Sequence, residues 1–273
     1  MTEKQYNAAP GVRRSDLWRM HESPEKYKWF LDHPPEQTPA LIFGSAVHKL
    51  LLEPLDFEAE YAVAPLVDRR TKSGKEAYEQ FIAGIGEKTV ITQDDFDTMA
   101  AMVEKAQSVP MVKNLLKGKH EVPLFWTDED TGLECKVRCD CVTEIDGKIA
   151  VVDYKSTSDA RTNVFVNRDM DKYGYFMQAY MYTEGVMREM ELDYRPDFYF
   201  VVQEKKAPYS VNVVQVYGDS DVMMHGKDTF REYMGMLKQC EDTGFFWGLM
   251  GPFNEPNEAY LPGYISLGNE DDE

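Results

Sequence analysis

The chain has 273 residues, of which 43% are hydrophobic and 12% aromatic, and this composition indicates a globular protein with a sizeable core. Its net charge of −18 argues against non-specific binding to nucleic acid, but it does not exclude a local basic groove around a metal site. The sequence contains no signal peptide and no apolar run of about 20 residues that would predict a membrane span, so we expect a soluble cytoplasmic protein.

The N-terminal third is predicted to be mainly helical. Ser23 is a typical N-cap and Pro24 a typical first helical residue, so a helix is expected to run from there to about Leu31. A second helix carries the stretch 43–53 and ends before Pro54, because proline cannot continue a helix.

The rest of the chain combines strands with helices. From Glu121 onward, apolar and polar residues alternate, which predicts a three-stranded meander. The order of elements indicates one domain over 1–273, with a mainly helical part at 1–110, an α/β core at 111–245 and an acidic tail at 264–273. The predicted strands are 121–126, 133–142, 149–155, 198–203 and 211–217, and the predicted helices beyond the N-terminal pair are 92–107, 171–191 and 220–240.

The second and third strands of the meander form a hairpin with two facing aspartates. Asp-Gly at 146–147 is a strong signal for a two-residue turn. Counting outward from that turn places Asp140 opposite Asp153, and two residues further on Arg138 lies opposite Lys155. Facing carboxylates repel each other, so a divalent cation with oxygen ligands is the natural explanation for the pair.

The first turn of the meander adds a third acidic residue. A four-residue loop at 129–132 would set Glu121 opposite Asp140, so that three carboxylates form one row across three strands. Alternation puts Cys135, Cys139 and Cys141 on the face opposite Asp140. Their spacing lacks the C-x2-C pairs of zinc and iron–sulfur sites, so we expect them to be small core residues.

Such a carboxylate patch suits metal-assisted hydrolysis of a phosphodiester. The carboxylates would hold Mg²⁺ or Mn²⁺, and Lys155, one pleat from Asp153, would orient or deprotonate the attacking water or neutralise charge in the transition state. The side chain of Tyr154 points away, but its backbone carbonyl is available as a ligand. The alternative is a solvent-facing hairpin in which lysine and arginine simply neutralise the aspartates.

These residues resemble a known nuclease signature. Asp140 followed by Asp153-Tyr154-Lys155 is similar to the PD-(D/E)XK motif, with Cys139 in place of the proline. Segment 43–54 resembles the G-x3-H-x-L-L-L-E-P helix of exodeoxyribonuclease VIII-like proteins of phages and prophages. Segment 178–182 resembles the Q-x3-Y motif of RecB-type nuclease domains. The resemblance spans about 15–240 and implies a restriction-endonuclease-like core, a mixed sheet flanked by helices, with an N-terminal helical extension.

The resemblance also implies roles for residues outside the hairpin. His48 and Glu121 correspond to metal ligands, and Gln178 and Tyr182 correspond to residues that position the phosphate or the attacking water. Three of these residues have a simpler alternative from the sequence alone, whereas Gln178 is harder to explain as a core residue. His48 and Tyr182 would then be core residues and Glu121 a surface residue of its strand.

The activity implied is an ATP-independent exodeoxyribonuclease that needs Mg²⁺, with Mn²⁺ as a substitute. It would digest linear double-stranded DNA from 5′ ends, act beside a single-strand annealing protein in recombination and form a homo-oligomeric ring. The alternatives are a nuclease of other polarity or single-strand specificity, and a catalytically silent protein that binds DNA ends.

Basic residues supply candidate DNA contacts. The loop 69–75 lacks the glycine pattern of a P-loop, so the enzyme is expected to degrade DNA without ATP. The loop itself is either a clamp on the DNA backbone or the 5′ phosphate, or a solvated loop. Tyr173 and Tyr175 would either stack on bases or pack in the core. The DNA-binding candidates are Arg69, Arg70, Lys72, Lys75, Arg138 and Arg161.

Overall fold

The computed structural model describes residues 1 and 3–259, and the predicted tail at 264–273 lies outside them. The described chain has the predicted α/β architecture, with a mixed central sheet flanked by helices. The strands are β1 Val12–Arg13, β2 Tyr61–Val63, β3 Thr89–Ile91, β4 Lys119–Thr127, β5 Glu134–Ile145, β6 Lys148–Thr157, β7 Asp197–Glu204 and β8 Val211–Val216. The helices are α1 Glu3–Ala8, α2 Arg14–Leu17, α3 Pro24–Asp32, α4 Pro39–Leu52, α5 Phe57–Glu60, α6 Lys72–Gly84, α7 Gln93–Ser108, α8 Pro110–Leu115, α9 Thr162–Val164, α10 Asp171–Tyr173, α11 Tyr175–Glu189 and α12 Asp221–Thr243.

Helix starts follow the predicted caps. The Ser23 hydroxyl accepts a hydrogen bond from the Lys26 N–H at 3.2 Å at the start of α3. Thr92 accepts from the Asp95 N–H at 3.0 Å at the start of α7. Both contacts satisfy amide donors that the first turn of a helix leaves free.

The large sheet is mixed. Strands β4, β5 and β6 are antiparallel neighbours, β7 is parallel to β6, and β8 is antiparallel to β7. Strand β1 pairs in parallel with the N-terminal part of β5, at Cys135 and Lys136. Strands β2 and β3 form a separate two-stranded parallel sheet. The short strands β1, β2 and β3 were not predicted from the sequence.

Two hydrophobic clusters bury the two faces of the sheet. One cluster packs α11 and α12 against residues such as Phe198 and Phe200, and the other packs α4, α7 and α8 against residues such as Tyr199 and Val201. Strand β7 therefore contributes to both clusters and lies at the centre of the molecule. Among the described helices, none has the length and apolar character that a membrane span requires.

The hairpin register near the turn is the predicted one. Pairing runs from Ile145 opposite Lys148 to Cys141 opposite Val152 and ends there, one pair before Asp140 and Asp153. The predicted pairing of Arg138 with Lys155 is wrong, because the ladder between β5 and β6 ends before these residues and β1 pairs instead with Cys135 and Lys136 of β5. Strands β5 and β6 therefore separate at the two aspartates, and we call this separation the fork.

The pleat of β5 also changes at Asp140. Cys135 and Cys139 lie in the cluster under α11, whereas Cys141 lies in the cluster under α4. The prediction that the three cysteines share one face of the strand is therefore wrong. They are buried and free, which confirms that they are core residues. Across from this point Glu121 has a left-handed backbone with φ +52°, and this irregularity in β4 accompanies the change of face.

The helix predicted at 171–191 is interrupted at Gly174. This residue has φ +64° and separates α10 from α11, where a Cβ atom would lie 2.4 Å from the ring of Trp18. Trp18 also donates a hydrogen bond from Nε1 to the Lys172 carbonyl at 3.3 Å. The N-terminal segment is therefore docked on this break through contacts that only a glycine permits.

Replacing Gly174 with alanine is expected to destabilise the protein more than replacing Gly147. Both residues have positive φ, so each change should cost about 1–2 kcal/mol of unfolding free energy from backbone strain. Only Gly174 faces a ring, and that overlap should cost about 1–3 kcal/mol more. Urea unfolding of both variants measures the difference, and equal losses would contradict the packing argument.

Candidate active site

The fork collects charged and polar side chains from five elements. Strands β4, β5 and β6 supply Glu121, Asp140 and Asp153. Helix α4 supplies His48 from one face of the sheet, and α11 supplies Gln178 from the other. Because the strands separate here, side chains from both faces reach the same place.

His48 lies between two carboxylates. Its Nε2 is 2.8 Å from Oδ2 of Asp140, and its Nδ1 is 3.4 Å from Oε1 of Glu121. The pairs on either side of Glu121, His120 with Cys141 and Val122 with Cys139, set Glu121 across from Asp140 as predicted. One donor atom from each of the three residues lies within 4.8 Å of the others.

Asp153 lies beside this group and has its own partners. Its Oδ2 is 2.7 Å from Nζ of Lys155, and its Oδ1 accepts a hydrogen bond from the amide of Gln178. Asp153 and Gln178 are each 1% exposed, so the carboxylate is held by fixed neighbours rather than by solvent.

Two tyrosines of the predicted site have different surroundings. The N–H of Tyr154 donates to Oδ2 of Asp140 at 2.8 Å, and its hydroxyl donates to Gln203 at 2.7 Å, so its side chain points away from the carboxylates as predicted. Tyr182 lies one turn after Gln178 on α11, with its ring edge against Phe198 at a centroid distance of 6.2 Å. Burial raises the pKa of Tyr182 well above its ordinary value, so the phenol stays protonated.

The carboxylates around His48 favour its protonated form. Burial disfavours the charged imidazole, but the carboxylates of Asp140 and Glu121 outweigh it and raise the pKa of His48 to about 9. Burial likewise opposes the charged form of Asp140, yet His48, Lys155 and the Tyr154 N–H together lower its pKa. A ligating imidazole must be neutral, so a bound cation would have to displace this proton.

The remaining two carboxyl groups are harder to ionise. Burial raises the pKa of Glu121 to about 7, although His48 and Arg138 oppose the shift. Burial and the charge of Asp140 raise the pKa of Asp153 to about 6, although Lys155 opposes the shift. Crowded carboxylates that resist ionisation are the situation that a divalent cation relieves.

The donor set fits a divalent cation. Carboxylate oxygens suit Mg²⁺ and Mn²⁺, and the added imidazole suits Mn²⁺ better than Mg²⁺. The buried Oε1 of Gln178 has no hydrogen-bond partner among the described residues, which leaves an oxygen beside the carboxylates for a ligand or water. The residues present therefore fit a metal centre, with the nitrogen of His48 and the oxygens of Glu121 and Asp140 as its nearest donors.

A family model described as a PDDEXK-like domain of unknown function (DUF3799) matches residues 14–247. The chain belongs to this PDDEXK-like family. The matched range contains every residue of the site described above.

One solved structure supports the same fold. A protein from Eubacterium rectale, provisionally described as an exonuclease, is 15% identical to this PDDEXK-like chain, and the match covers 96% of both chains with a TM-score of 0.63. The protein SSO0001, also 15% identical, matches 69% of this chain and 85% of its own with a TM-score of 0.31, which carries no argument. No curated protein matches the chain.

Within the PDDEXK-like site, Gln178 is predicted to position Asp153. Replacing Gln178 with alanine removes the amide that donates to Oδ1 of Asp153. Loss of an outer partner of a metal site typically lowers metal affinity or activity about 10- to 100-fold. Titration of Mn²⁺ into the variant measures this effect, and unchanged affinity and activity would contradict the role.

The structure pairs most of the predicted DNA-binding residues with neighbours in the chain. Arg138 is 2.6 Å from Oε2 of Glu121, which makes it part of the fork. Arg70 pairs with Asp68 at 3.0 Å, and Arg161 pairs with Asp159 at 2.6 Å. Of the remaining basic residues, Arg69 stacks on Tyr78, Lys72 lies 3.9 Å from Glu76, and Lys75 is exposed. Whether they contact DNA stays a prediction.

Arg14 is a cation near the fork that was not predicted from the sequence. Arg14 donates from Nη1 to the carbonyl of Tyr173 at 2.8 Å, and its guanidinium lies 5.8 Å from the ring centre of Tyr175. Lys155 approaches the same ring at 4.7 Å. No local pattern connects residue 14 with residues 155–175, so the sequence carried no signal for this contact.

Proposed function

We propose that this PDDEXK-like chain is a divalent-metal-dependent nuclease, and more narrowly an ATP-independent exodeoxyribonuclease similar to exodeoxyribonuclease VIII. The observation that carries the proposal is the convergence of His48, Glu121 and Asp140 beside the Asp153–Lys155 pair. The match to a PDDEXK-like family supports this reading, and the residues that resemble the PD-(D/E)XK motif lie beside the converging donors.

Each residue of the fork has a chemical task in this proposal. His48, Glu121, Asp140 and Asp153 would hold the cation, with the Tyr154 carbonyl as a further ligand. A bound Mg²⁺, or Mn²⁺ as a substitute, would supply positive charge that stabilises the phosphate as its negative charge grows. Lys155 would orient the attacking water and neutralise charge on the phosphate, since its ammonium is 2.7 Å from Asp153 and the nearby carboxylates raise its pKa against burial.

Gln178 and Tyr182 complete the proposed machinery on α11. Gln178 fixes the orientation of Asp153 by its hydrogen bond to Oδ1. Tyr182, protonated and close enough to Asp153 and Asp140 to be affected by their charges, would donate a hydrogen bond to the phosphate or to water.

The finer parts of the proposal come from the resemblance to exodeoxyribonuclease VIII. The substrate would be the end of linear double-stranded DNA, digested 5′ to 3′, inside the cytoplasm of a bacterial host. The product would pass to a single-strand annealing protein in phage-type recombination. A ring of identical subunits would keep the enzyme on its DNA.

One assay tests the activity and the polarity together. Linear duplex labelled at the 5′ or the 3′ end is incubated without ATP, with Mg²⁺ or EDTA, and wild type is compared with Asp153→Asn. We expect metal-dependent release of the 5′ label first, and no release by the variant. Absence of metal-dependent release by wild type would overturn the nuclease proposal, and earlier release of the 3′ label would overturn only the polarity.

Other substrates separate the remaining alternatives. Loss of covalently closed circular DNA at the rate of linear DNA would indicate an endonuclease. Digestion of single strands alone would indicate single-strand specificity. Retention of duplex ends without any cleavage would indicate a silent DNA-end-binding protein.

A further inference from the structure

Arg14 carries a positive charge near the fork that no carboxylate of the described residues compensates. Among the described residues it forms no ion pair, and its Nε is buried without a hydrogen-bond partner. Its sequence neighbour Arg13 is paired with both oxygens of Asp16, at 2.7 and 3.2 Å. A buried donor without an acceptor costs about 1–3 kcal/mol, so this guanidinium needs a reason to be there.

The guanidinium of Arg14 lies near the proposed reacting groups. Arg14 and Lys155 both approach the ring of Tyr175, at 5.8 and 4.7 Å. Burial raises the pKa of Tyr182 and lowers that of Lys155, and the positive charge of Arg14 acts to lower both pKa values. Arg14 therefore lies close enough to both residues to affect them electrostatically.

The position of Arg14 is fixed by the fold. Its Nη1 donates to the Tyr173 carbonyl, and Trp18 of the same segment bonds to Lys172 and packs on Gly174. With Nη1 engaged, the edge formed by Nε and Nη2 has no acceptor among the described residues, and because Nε is buried, a ligand can reach both atoms only if the side chain rotates. That edge matches two oxygens of a phosphate, and planar two-point recognition of this kind is what arginine does better than lysine.

The fork itself creates a need for such a cation. Glu121, Asp140 and Asp153 would repel an approaching DNA backbone, while Arg138 and Lys155 are already engaged by carboxylates. Arg14 has no carboxylate partner in the part of the chain that the structure describes, and its side chain is only half-buried, so part of it reaches solvent.

We propose that Arg14 binds a backbone phosphate of the DNA strand entering the active site, through its Nε–Nη2 edge after a small rotation that keeps Nη1 on the Tyr173 carbonyl. This inference rests on the proposed nuclease function and adds a substrate-binding residue to it. The bound phosphate is a neighbour of the one being cleaved, because Tyr175 separates Arg14 from Lys155.

A binding experiment in an inactive background tests the proposal without requiring catalysis. Asp153→Asn protein is compared with the same protein carrying Arg14→Ala, Arg14→Lys or Arg13→Ala, by fluorescence anisotropy of a labelled 20-base-pair duplex over a range of salt. We expect Arg14→Ala to weaken binding about 10- to 100-fold and to reduce the salt slope by about one. Arg14→Lys should keep the slope but bind more weakly than arginine, and Arg13→Ala should change neither.

A modified substrate locates the contact. Duplexes with a single neutral methylphosphonate at the first, second or third linkage from the end remove one phosphate charge each. At one of these linkages, the loss of binding affinity caused by the methylphosphonate should be much smaller for Arg14→Ala protein than for the parent protein, since the two changes remove the same contact. Additive losses at every linkage, an equal effect of Arg13→Ala, or no DNA binding by the parent protein would overturn the proposal. Normal binding effects with no cleavage by wild type would overturn the nuclease function but leave the Arg14 contact standing.

Discussion

Replacing Asp140 with asparagine should lower the rate of DNA cleavage about a thousandfold or more. The variant keeps the shape of the side chain and an oxygen for the Tyr154 N–H, so the hairpin should still form. It removes the negative charge of Asp140, whose Oδ2 lies 2.8 Å from Nε2 of His48 and also accepts from the Tyr154 N–H. Charge stabilisation by a catalytic cation amounts to several kcal/mol, and each 1.36 kcal/mol is a factor of ten in rate.

The same variant should lose stabilisation by metal. A ligand that binds only the folded state adds about 2.7 kcal/mol of stability at 100 times its Kd, so wild type should melt at higher temperature with Mn²⁺ and Asp140→Asn should respond much less. Asp146→Asn is the matched control, because it makes the same change on the same hairpin and Asn-Gly is an equally good turn. An Asp140→Asn protein within tenfold of wild-type activity would show that the fork is not the metal centre.

The residues of the fork were predictable because their signals are local or periodic. The Asp-Gly turn fixes the register of β5 and β6 from only two residues, and the loop at 129–132 sets Glu121 across from Asp140. In both hairpins a short turn leaves one register compatible with burying the apolar face. The general location of three acidic side chains follows from that register.

The shape of the fork depends on contacts that sequence patterns do not contain. Strict alternation would carry the hairpin past Asp140, but β1, more than 100 residues earlier in the chain, takes the place of β6 along β5. The break at Gly174 depends on Trp18 in the same way. The position of Arg14 could not be predicted for the same reason, since it depends on the docking of that N-terminal segment.

Replacing Phe198 with alanine should cost about 3–5 kcal/mol of unfolding free energy. Its side chain is fully buried in β7, with the Phe200 ring at 4.7 Å and the Tyr182 ring at 6.2 Å between centroids. A cavity here opens beneath α11, the helix that carries Gln178 and Tyr182. Stability and site geometry should therefore be lost together.

Urea unfolding and cleavage assays on three variants distinguish packing from a specific role of the ring. Phe253 is 82% exposed, so Phe253→Ala should change stability by less than about 0.5 kcal/mol. Phe198→Leu refills most of the volume and should recover most of the lost stability, because volume-conserving exchanges usually cost less than about 1.5 kcal/mol. If α11 only needs support from below, Phe198→Leu should recover cleavage as well. Recovery of stability without recovery of cleavage would mean that the edge contact between the Phe198 and Tyr182 rings sets the position of the Tyr182 hydroxyl.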